Sequence, residues 1–282
     1  MTAAAKGAGA AKGADTDTDT DAGIGIFDSG VGGLTVLHRL LQSVPREHLL
    51  YLGDTARHPY GIKSAAVVTR YSIENTEFLV DKGVKMIVVA CNTASAVALD
   101  AVRERFDLPV IGVIEPGARA AVAVTRNRKV GVIGTEATIA SGTYTRALRA
   151  LDPDLEIYTR ACPLFVPLAE EGWVDNDVTR QTVALYLASL RQSRIDTLVL
   201  GCTHYPLLAP VIAEYLGPEV QLVDSATETA REVERTLAAH GLRRADGAGS
   251  ASFFVTDVPD RFTKIGGRFL GAAVDSAVRI ER

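Results

Sequence analysis

Short apolar runs alternate along this chain with longer segments whose apolar positions recur at helical spacing. Four strand-like runs occupy the stretch up to residue 117: "GIGIFDS", "LLYLGD", "MIVVACN" and "PVIGVIEPG". Three helix-like segments separate them: "GGLTVLHRLLQSV", "KSAAVVTRYSIENTEFLVDKG" and "TASAVALDAVRERF". Gly83 closes the second of these segments, as is common just past a helix end. Strands that alternate with helices predict a parallel sheet covered by helices.

The pattern then begins again. "KVGVIGTEAT" is similar to the first strand-like run, "TLVLGCTHYP" to "MIVVACNTAS", and "VQLVDSA" to "VIGVIEPG". Gly131 follows Gly25 by 106 residues, and Cys202 follows Cys91 by 111 residues. Three similar runs in the same order at a nearly constant offset indicate two related halves that arose by duplication.

We therefore predict an α/β fold of two similar domains, each a mostly parallel sheet flanked by helices, with the active site in the cleft between them. Residues 23–115 with 225–282 are expected to form the first domain, and residues 116–224 the second. The last segment holds a helix, the strand "ASFFVTD" and a final helix, which we expect to pack on the first half. Residues 1–22 offer almost no large apolar side chain, which predicts a disordered tail.

The composition narrows the possible functions. The chain has 282 residues, of which 47% are hydrophobic and 23% charged, as in globular proteins, and its net charge of −4 predicts no nucleic-acid surface. No apolar run is long enough to span a bilayer, so we expect no membrane association. Cys91, Cys162 and Cys202 lack the spacing of a zinc site, which predicts reduced thiols, no metal and a cytoplasmic protein.

Polar residues follow the predicted strands at the end where open α/β sheets bind ligands. They are Asp28, Ser29, Asp54, Cys91, Asn92, Thr93, Thr135, Thr138, Cys202, Thr203 and His204. Two halves that face each other would place Cys91 and Cys202 on opposite walls of one cleft. Such a pair can invert a carbon centre, because one thiolate removes a proton while the other thiol delivers one to the opposite face. A helix start after each cysteine would lower the thiol pKa.

These residues give the chain a resemblance to the cofactor-independent aspartate/glutamate racemase superfamily, and to its glutamate racemases in particular. The similar segments are "GIFDSGVGGLTV", "GDTARHPYG", "VVACNTASA", "GVIEPG", "GVIGTEATIASGTY", "LVLGCTHYPLL" and "LVDSA". The resemblance implies interconversion of L- and D-glutamate with neither pyridoxal phosphate nor metal. It further implies that D-glutamate supplies peptidoglycan synthesis in a bacterial cytoplasm, and that the protein is a homodimer.

The resemblance also implies roles for single residues. Cys91 would act on the D-glutamate face with the help of Asp28, and Cys202 on the L-glutamate face with the help of His204. Glu171, preferred here to its neighbour Glu170, would assist Cys202 as well. The substrate-binding positions would be Asp28, Ser29, Asn92, Thr93, Thr135, Thr138, Thr203, His204 and the backbone N–H groups of Tyr60 and Gly61, which would meet the side-chain carboxylate.

Other interpretations stay open. One is a racemase of the same superfamily that acts on aspartate or another acidic substrate, and another is a two-lobed module that binds glutamate without turnover. Asp28 also suits a helix N-cap, His204 a buried core position, and Glu170 and Glu171 a solvated helix face. A Cys-His hydrolase is disfavoured, because residues two apart diverge on a strand or helix and the second cysteine would have no role.

Overall fold

The computed structural model describes residues 20–281, so residues 1–19 of the predicted tail lie outside the described residues. The three tail residues that it does describe lead into the first strand, where the Nζ atom of Lys85 donates to the carbonyl oxygen of Thr20 at 2.6 Å. None of the helices within residues 20–281 combines the length and apolar character that a membrane crossing requires.

The first sheet has six parallel strands, which come from both ends of the described chain. They are β1 (Gly23–Asp28), β2 (His48–Gly53), β3 (Val84–Val89), β4 (Val110–Gly112), β9 (Ser250–Val255) and β10 (Val278–Arg279). Their spatial order is β10-β9-β2-β1-β3-β4, with β9 paired to β2 along its full length. The C-terminal segment is therefore part of the first sheet.

Helices cover both faces of this sheet, because successive strand residues point to opposite sides. Met86 and Val88 of β3 pack with α1 (Leu34–Ser43), α11 (Ser225–Ala239) and α12 (Pro259–Leu270). Ile87 and Val89 pack on the other face with α2 (Ala65–Asp81), α3 (Asn92–Val97) and α4 (Leu99–Arg105). A strand buried on both faces explains the unbroken apolar run "MIVVA".

The second sheet has four parallel strands in the order β6-β5-β7-β8. They are β5 (Lys129–Gly134), β6 (Glu156–Ala161), β7 (Thr197–Gly201) and β8 (Gln221–Asp224). The helices of this half are α5 (Ile114–Val124), α6 (Glu136–Ala140), α7 (Thr143–Leu151), α8 (Phe165–Glu171), α9 (Asp177–Gln192) and α10 (Ala209–Leu216). Short 3₁₀ helices span Thr55–Arg57, Tyr60–Ile62 and Tyr205–Leu208. The predicted α/β class, with parallel sheets flanked by helices, is confirmed.

The chain passes between the two sheets twice within the described residues. After β4 it enters α5, which packs in the core of the second half, and after β8 it enters α11, which packs on the first sheet. The two passages lie side by side, since a Cβ atom on Gly117 would lie 3.1 Å from the Cβ atom of Ser225. We propose on this basis that residues 23–115 with 225–282, and residues 116–224, are the two domains.

Two predicted elements were wrong in part. The third helix is interrupted at Ala98, whose φ of −122° and ψ of −11° separate α3 from α4. The fourth strand ends at Gly112, and the chain turns helical from Ile114 onward. Glu115 and Pro116 fit the first turn of α5, where a carboxylate is favoured and proline removes no hydrogen bond. The sequence "IEPG" is thus a helix start rather than a strand end.

Helix α11 supplies a direct test of this packing. Leu237 is fully buried in the core of the first half. Replacement by alanine is expected to lower the free energy of unfolding by about 2–5 kcal/mol, because it removes packed methyl groups and leaves a cavity. Urea denaturation followed by circular dichroism measures the change. The matched control is Leu185→Ala on α9, where the side chain is 77% exposed and a change within about 0.5 kcal/mol is expected. Equal effects of the two substitutions would contradict the packing described.

Candidate active site

Cys91 lies just past the end of β3 and forms the N-cap of α3. Its side chain is buried, and the backbone N–H groups of Ala94 and Ser29 and the Ser29 hydroxyl lie near its sulfur. Burial, followed by the nearby charge of Asp28, raises the pKa of the Cys91 thiol to about 12, although these polar groups oppose the rise. The expectation that the helix start gives a lowered thiol pKa is therefore wrong, because burial outweighs the helix N-terminus.

Cys202 occupies the corresponding place after β7. Burial is the largest cause of the raised pKa of its thiol. Negative charge on Cys91 when it is ionised, on Asp28 and on Glu170 adds to the rise, while the backbone N–H of His204 opposes it. Electrostatic influence of Cys91 and Asp28 on Cys202 requires that the three groups lie near one another. The two cysteines thus belong to one site, as neutral thiols near pH 7.

The loop after β1 and the loop after β7 meet at this site. The Oδ2 atom of Asp28 accepts a hydrogen bond from the backbone N–H of Gly30 at 2.9 Å, and its Oδ1 atom lies 3.5 Å from the Thr203 hydroxyl. The N-cap of α1 is Gly33, so Asp28 does not cap this helix. A Cβ atom on Gly32 would lie 2.2 Å from the Thr203 hydroxyl. Only glycine permits so close an approach of the two loops.

His204 connects Cys202 to a carboxylate. Its Nδ1 atom lies 3.8 Å from the Cys202 sulfur, and its Nε2 atom lies 3.1 Å from the Oε1 atom of Glu170 on α8. The Nε2 atom of His58 lies 3.0 Å from the same oxygen. Glu171 is exposed at the end of α8. This placement corrects the preference for Glu171, because one step along a helix turns a side chain by about 100° and Glu170 is the residue that faces inward.

The charge of Glu170 determines which ring nitrogen of His204 carries the proton. Burial would raise the pKa of this carboxyl, but hydrogen bonds from His204 and His58 outweigh burial and hold the pKa well below its usual range. An ionised carboxylate only accepts hydrogen bonds, so the proton of a neutral His204 ring lies on Nε2. The lone pair of Nδ1 then faces the Cys202 sulfur.

Asn92, the first residue of α3, is oriented by a tyrosine from the other half. The hydroxyl of Tyr144 donates to the Oδ1 atom of Asn92 at 2.6 Å, and both residues are buried. The Nδ2 atom of Asn92 is buried and has no hydrogen-bond partner in the structure. Since an unsatisfied buried donor costs about 1–3 kcal/mol, this amide group is suited to an anionic ligand.

Three threonine hydroxyls lie together at the boundary between the halves. The distance from Thr93 Oγ1 is 2.9 Å to Thr135 Oγ1 and 3.1 Å to Thr138 Oγ1, and the last two atoms are 2.9 Å apart. Gly61 packs against this cluster, because a Cβ atom there would lie 2.5 Å from the Thr135 Cβ atom. The structure thus brings together three predicted hydroxyl groups and one of the two predicted backbone donors.

The side chain of Tyr60 takes part in a network of hydrogen bonds beneath the loop that carries Gly61. Its hydroxyl donates to Asp54 and accepts a hydrogen bond from Asn75 at 3.0 Å. Asp54 also accepts from Arg57 at 2.7 Å and from the hydroxyl of Thr256 at 2.9 Å. Tyr60 and Gly61 begin a 3₁₀ helix, and first-turn N–H groups have no partner within their helix. Asp54 and Arg57 therefore hold the loop in place.

Most predicted site residues gather in this region, and two further residues went unpredicted. His58 and Tyr144 both lie inside segments that carry the family resemblance, "GDTARHPYG" and "GVIGTEATIASGTY". Their roles depend on contacts with residues 112 and 52 positions away, namely Glu170 and Asn92. No local pattern indicates such contacts. Cys162 is buried in the core of the second half, as expected for a structural cysteine.

Comparisons with known proteins agree with this geometry. The family model described as Asp/Glu/Hydantoin racemase matches residues 24–233. A glutamate racemase from Geobacter metallireducens is 56% identical over 258 residues, which cover 91% of this chain and 96% of that protein. The chain belongs to the Asp/Glu/Hydantoin racemase family and is an isomerase.

Solved structures give the same result. The crystal structure of a glutamate racemase from Bacillus anthracis superposes with a TM-score of 0.90 at 42% identity, covering 93% of this chain and 98% of that one. A glutamate racemase from Francisella tularensis, solved in complex with D-glutamate, superposes with a TM-score of 0.88 at 36% identity, with the same coverage of 93% and 98%. The two-domain architecture of these structures extends to this chain.

The raised thiol pKa values predict an unusual pH dependence of alkylation. Between about pH 8 and 10, the reaction of Cys91 with brief pulses of iodoacetamide should accelerate about 100-fold, because its thiolate fraction still grows tenfold per pH unit. In urea-denatured protein, where thiols titrate near pH 8.5, the alkylation rate should rise only about fourfold over the same pH interval. Mass spectrometry of the labelled peptides measures both rates. A plateau for Cys91 below about pH 9 would contradict the raised pKa.

Proposed function

We propose that this protein interconverts L- and D-glutamate, with Cys91 and Cys202 as the acid-base pair. The observation that carries the proposal is the placement of the two thiols, each at a strand end of its own half and each beside its own titratable partner. Asp28 accompanies Cys91, and His204 accompanies Cys202. A matched pair of proton-transfer groups is what inversion at a carbon that bears hydrogen requires.

The proton transfers balance without any added reagent. One thiolate takes the proton from Cα and becomes a thiol, which leaves an electron pair on Cα that the adjacent carboxylate group delocalises. The opposite thiol then gives its proton to the other face of Cα and becomes a thiolate. In the direction from L- to D-glutamate, Cys202 removes the proton and Cys91 donates one, and the reverse direction exchanges these roles.

His204 and Asp28 prepare the thiols for this cycle. The Nδ1 lone pair of His204 faces the Cys202 sulfur, so this ring can accept the proton of the thiol and form the thiolate. Glu170 supports the imidazolium that results, as a buried carboxylate supports the histidine of a catalytic triad. On the other side, Asp28 can accept a proton from Cys91 or pair with the ammonium group of the amino acid. That ammonium group would offset the negative charges that raise both thiol pKa values.

The polar groups around the thiols suit a substrate with two carboxylates. We assign the carboxylate next to the reacting carbon to the unpartnered Nδ2 group of Asn92 and to the hydroxyl of Thr203, which lies 3.5 Å from Asp28. The hydroxyls of Thr93, Thr135 and Thr138 and the loop at Gly61 lie together, and we assign the side-chain carboxylate to them. Ser29 lies beside the Cys91 sulfur, and we assign it to the α-carbon end of the site.

Two alternatives are separable by assay. Circular dichroism with D- and L-glutamate beside D- and L-aspartate distinguishes a glutamate racemase from an enzyme for the shorter acid, which differs by one methylene group. In deuterated water without cofactor, L-glutamate should gain deuterium at Cα during turnover. Tight binding of glutamate without such exchange would instead identify a non-catalytic binding module.

D-glutamate made in this way would serve peptidoglycan synthesis in the bacterial cytoplasm. The bacterial source of the glutamate racemases compared above supports this setting. We further propose a homodimer, for which light scattering coupled to size-exclusion chromatography is the measurement. A mass of one chain of 29.9 kDa at assay concentration would refute it.

Removal of either catalytic thiol should abolish racemisation. Cys91→Ala and Cys202→Ala are each expected to lower kcat by at least about 100-fold, since general acid–base groups contribute about 10²–10⁴. The matched control is Cys162→Ala, which removes the third thiol from the core of the second half and should leave kcat within about twofold. Racemisation at the unaltered rate by either of the first two variants, with glutamate bound normally, would refute the two-thiol mechanism.

The neighbouring glutamates provide a second matched pair. Glu170→Gln should lower kcat at least about tenfold with a smaller effect on KM, because an amide no longer fixes the His204 proton on Nε2. Glu171→Gln, an equal change on the exposed side of α8, should leave both constants within about twofold. Initial rates in both directions, followed by circular dichroism, give the comparison. A larger loss of kcat with Glu171→Gln would instead favour Glu171 as the residue that assists Cys202.

A further inference from the structure

His58, Glu170 and His204 form a cluster of three side chains of the types that ligate metals, beside the proposed catalytic thiols. Each offers one ligand atom, and all three atoms lie within 4.8 Å of one another. The Oε1 atom of Glu170 is 3.0 Å from His58 Nε2 and 3.1 Å from His204 Nε2. Ligand atoms of a tetrahedral zinc ion, at bond lengths of 2.0–2.1 Å, are separated by about 3.3 Å. Both distances from Glu170 to the histidines are thus already close to the separation that coordination requires.

The chemistry of the three donors selects the type of metal. Two imidazole nitrogens and one carboxylate oxygen suit zinc and its neighbours in the first transition series, whereas magnesium and calcium prefer sites made of oxygen. The cysteine sulfurs stay outside the ligand set, because the Cys202 sulfur contacts His204 through Nδ1, the opposite ring nitrogen. The set of two histidines and one glutamate also leaves a fourth position for water.

The surroundings provide an entry path and a fixed ring orientation. A surface cavity of about 280 Å³ is lined by His58, Glu170 and Arg261. Arg261 lies 3.4 Å from the second oxygen of Glu170 and opposes a cation there, but its side chain is 59% exposed and free to turn into solvent. The His204 ring is held on its other side by the edge of Phe269, with ring centroids 5.2 Å apart.

We propose that His58, Glu170 and His204 form a zinc site whose occupation inhibits the enzyme. Coordination uses the Nε2 lone pair of each ring, so the proton that His204 donates to Glu170 moves to Nδ1. The ring then presents an N–H to the Cys202 sulfur and can no longer accept the proton of the thiol. His58 likewise would place its proton on Nδ1, which is buried and has no hydrogen-bond partner in the structure.

Binding and inhibition are measured separately, because inhibition rests on the proposed racemase function and binding does not. Equilibrium dialysis of the full chain against zinc should give one tightly bound ion per chain. Loss of L-glutamate racemisation should follow the same occupancy, and excess EDTA should restore it. One bound zinc in a chain that racemises no glutamate would refute the proposed function and leave the site standing. Full activity at saturating zinc would overturn the inhibitory role.

The matched variants are His58→Asn and His240→Asn. Loss of a ligand should weaken zinc binding at least about tenfold, while loss of the exposed His240 at the end of α11 should change it less than about twofold. Binding to His58→Asn as tight as to the unaltered chain would overturn the proposal.

A spectrum of the unaltered chain tests the ligand set without any variant. Cobalt(II), used in place of zinc, should show the visible bands of a tetrahedral nitrogen and oxygen site. An intense near-ultraviolet thiolate-to-cobalt band would instead place the metal on Cys91 or Cys202 and overturn the assignment.

Discussion

The contact between the loop after β1 and the loop after β7 is the constraint on which the whole site depends. Gly32 leaves no room for a side chain beside Thr203, and the hydroxyl of Thr35 donates to the carbonyl oxygen of Thr203 at 3.3 Å. This contact brings the carboxyl ends of two separate parallel sheets together. Strand ends that each carry a few polar residues thereby become one site with a thiol from either half. The two similar halves can contribute to one site only because their strand ends face each other.

Burial is the second determinant, and it acts against the proton transfer that we propose for the thiols. A buried thiolate is unfavourable, and Asp28 and Glu170 place further negative charge nearby. Neutral thiols protect the site from adventitious oxidation and alkylation, since the thiolate is the reactive form. In the proposed reaction the substrate itself supplies the compensating positive charge, so the thiols become competent when an amino acid is present. The polar groups of Ser29 and Ala94 near Cys91 oppose the rise of its thiol pKa and so favour its thiolate.

The sequence was sufficient for the parallel α/β class and for the positions of Cys91 and Cys202, because both follow strongly apolar strands whose pattern is repeated. It was not sufficient to predict contacts that depend on which side of a helix faces the cleft. Glu170 and Glu171 are adjacent and chemically identical, and only the rotation of α8 distinguishes them. His58 is part of the site only because it contacts Glu170 on α8 and lies beside His204 in the loop after β7. The interruption at Ala98 likewise depends on packing, since Leu99 contacts β4 at Gly112, and helix propensity alone favours continuity.

The two adjacent passages of the chain between the sheets also limit how the molecule can move. Within the described residues the halves are joined covalently only there, where Gly117 lies against Ser225. Two neighbouring connections are suited to a double hinge, which would resist twisting and sliding of one half over the other but would permit rotation about an axis through both connections. Opening of the cleft would then separate Gly32 from Thr203 and Thr93 from Thr135 in a single motion. If the proposed reaction holds, exchange of substrate and disassembly of the proton-transfer site would, by this topology, be one mechanical event.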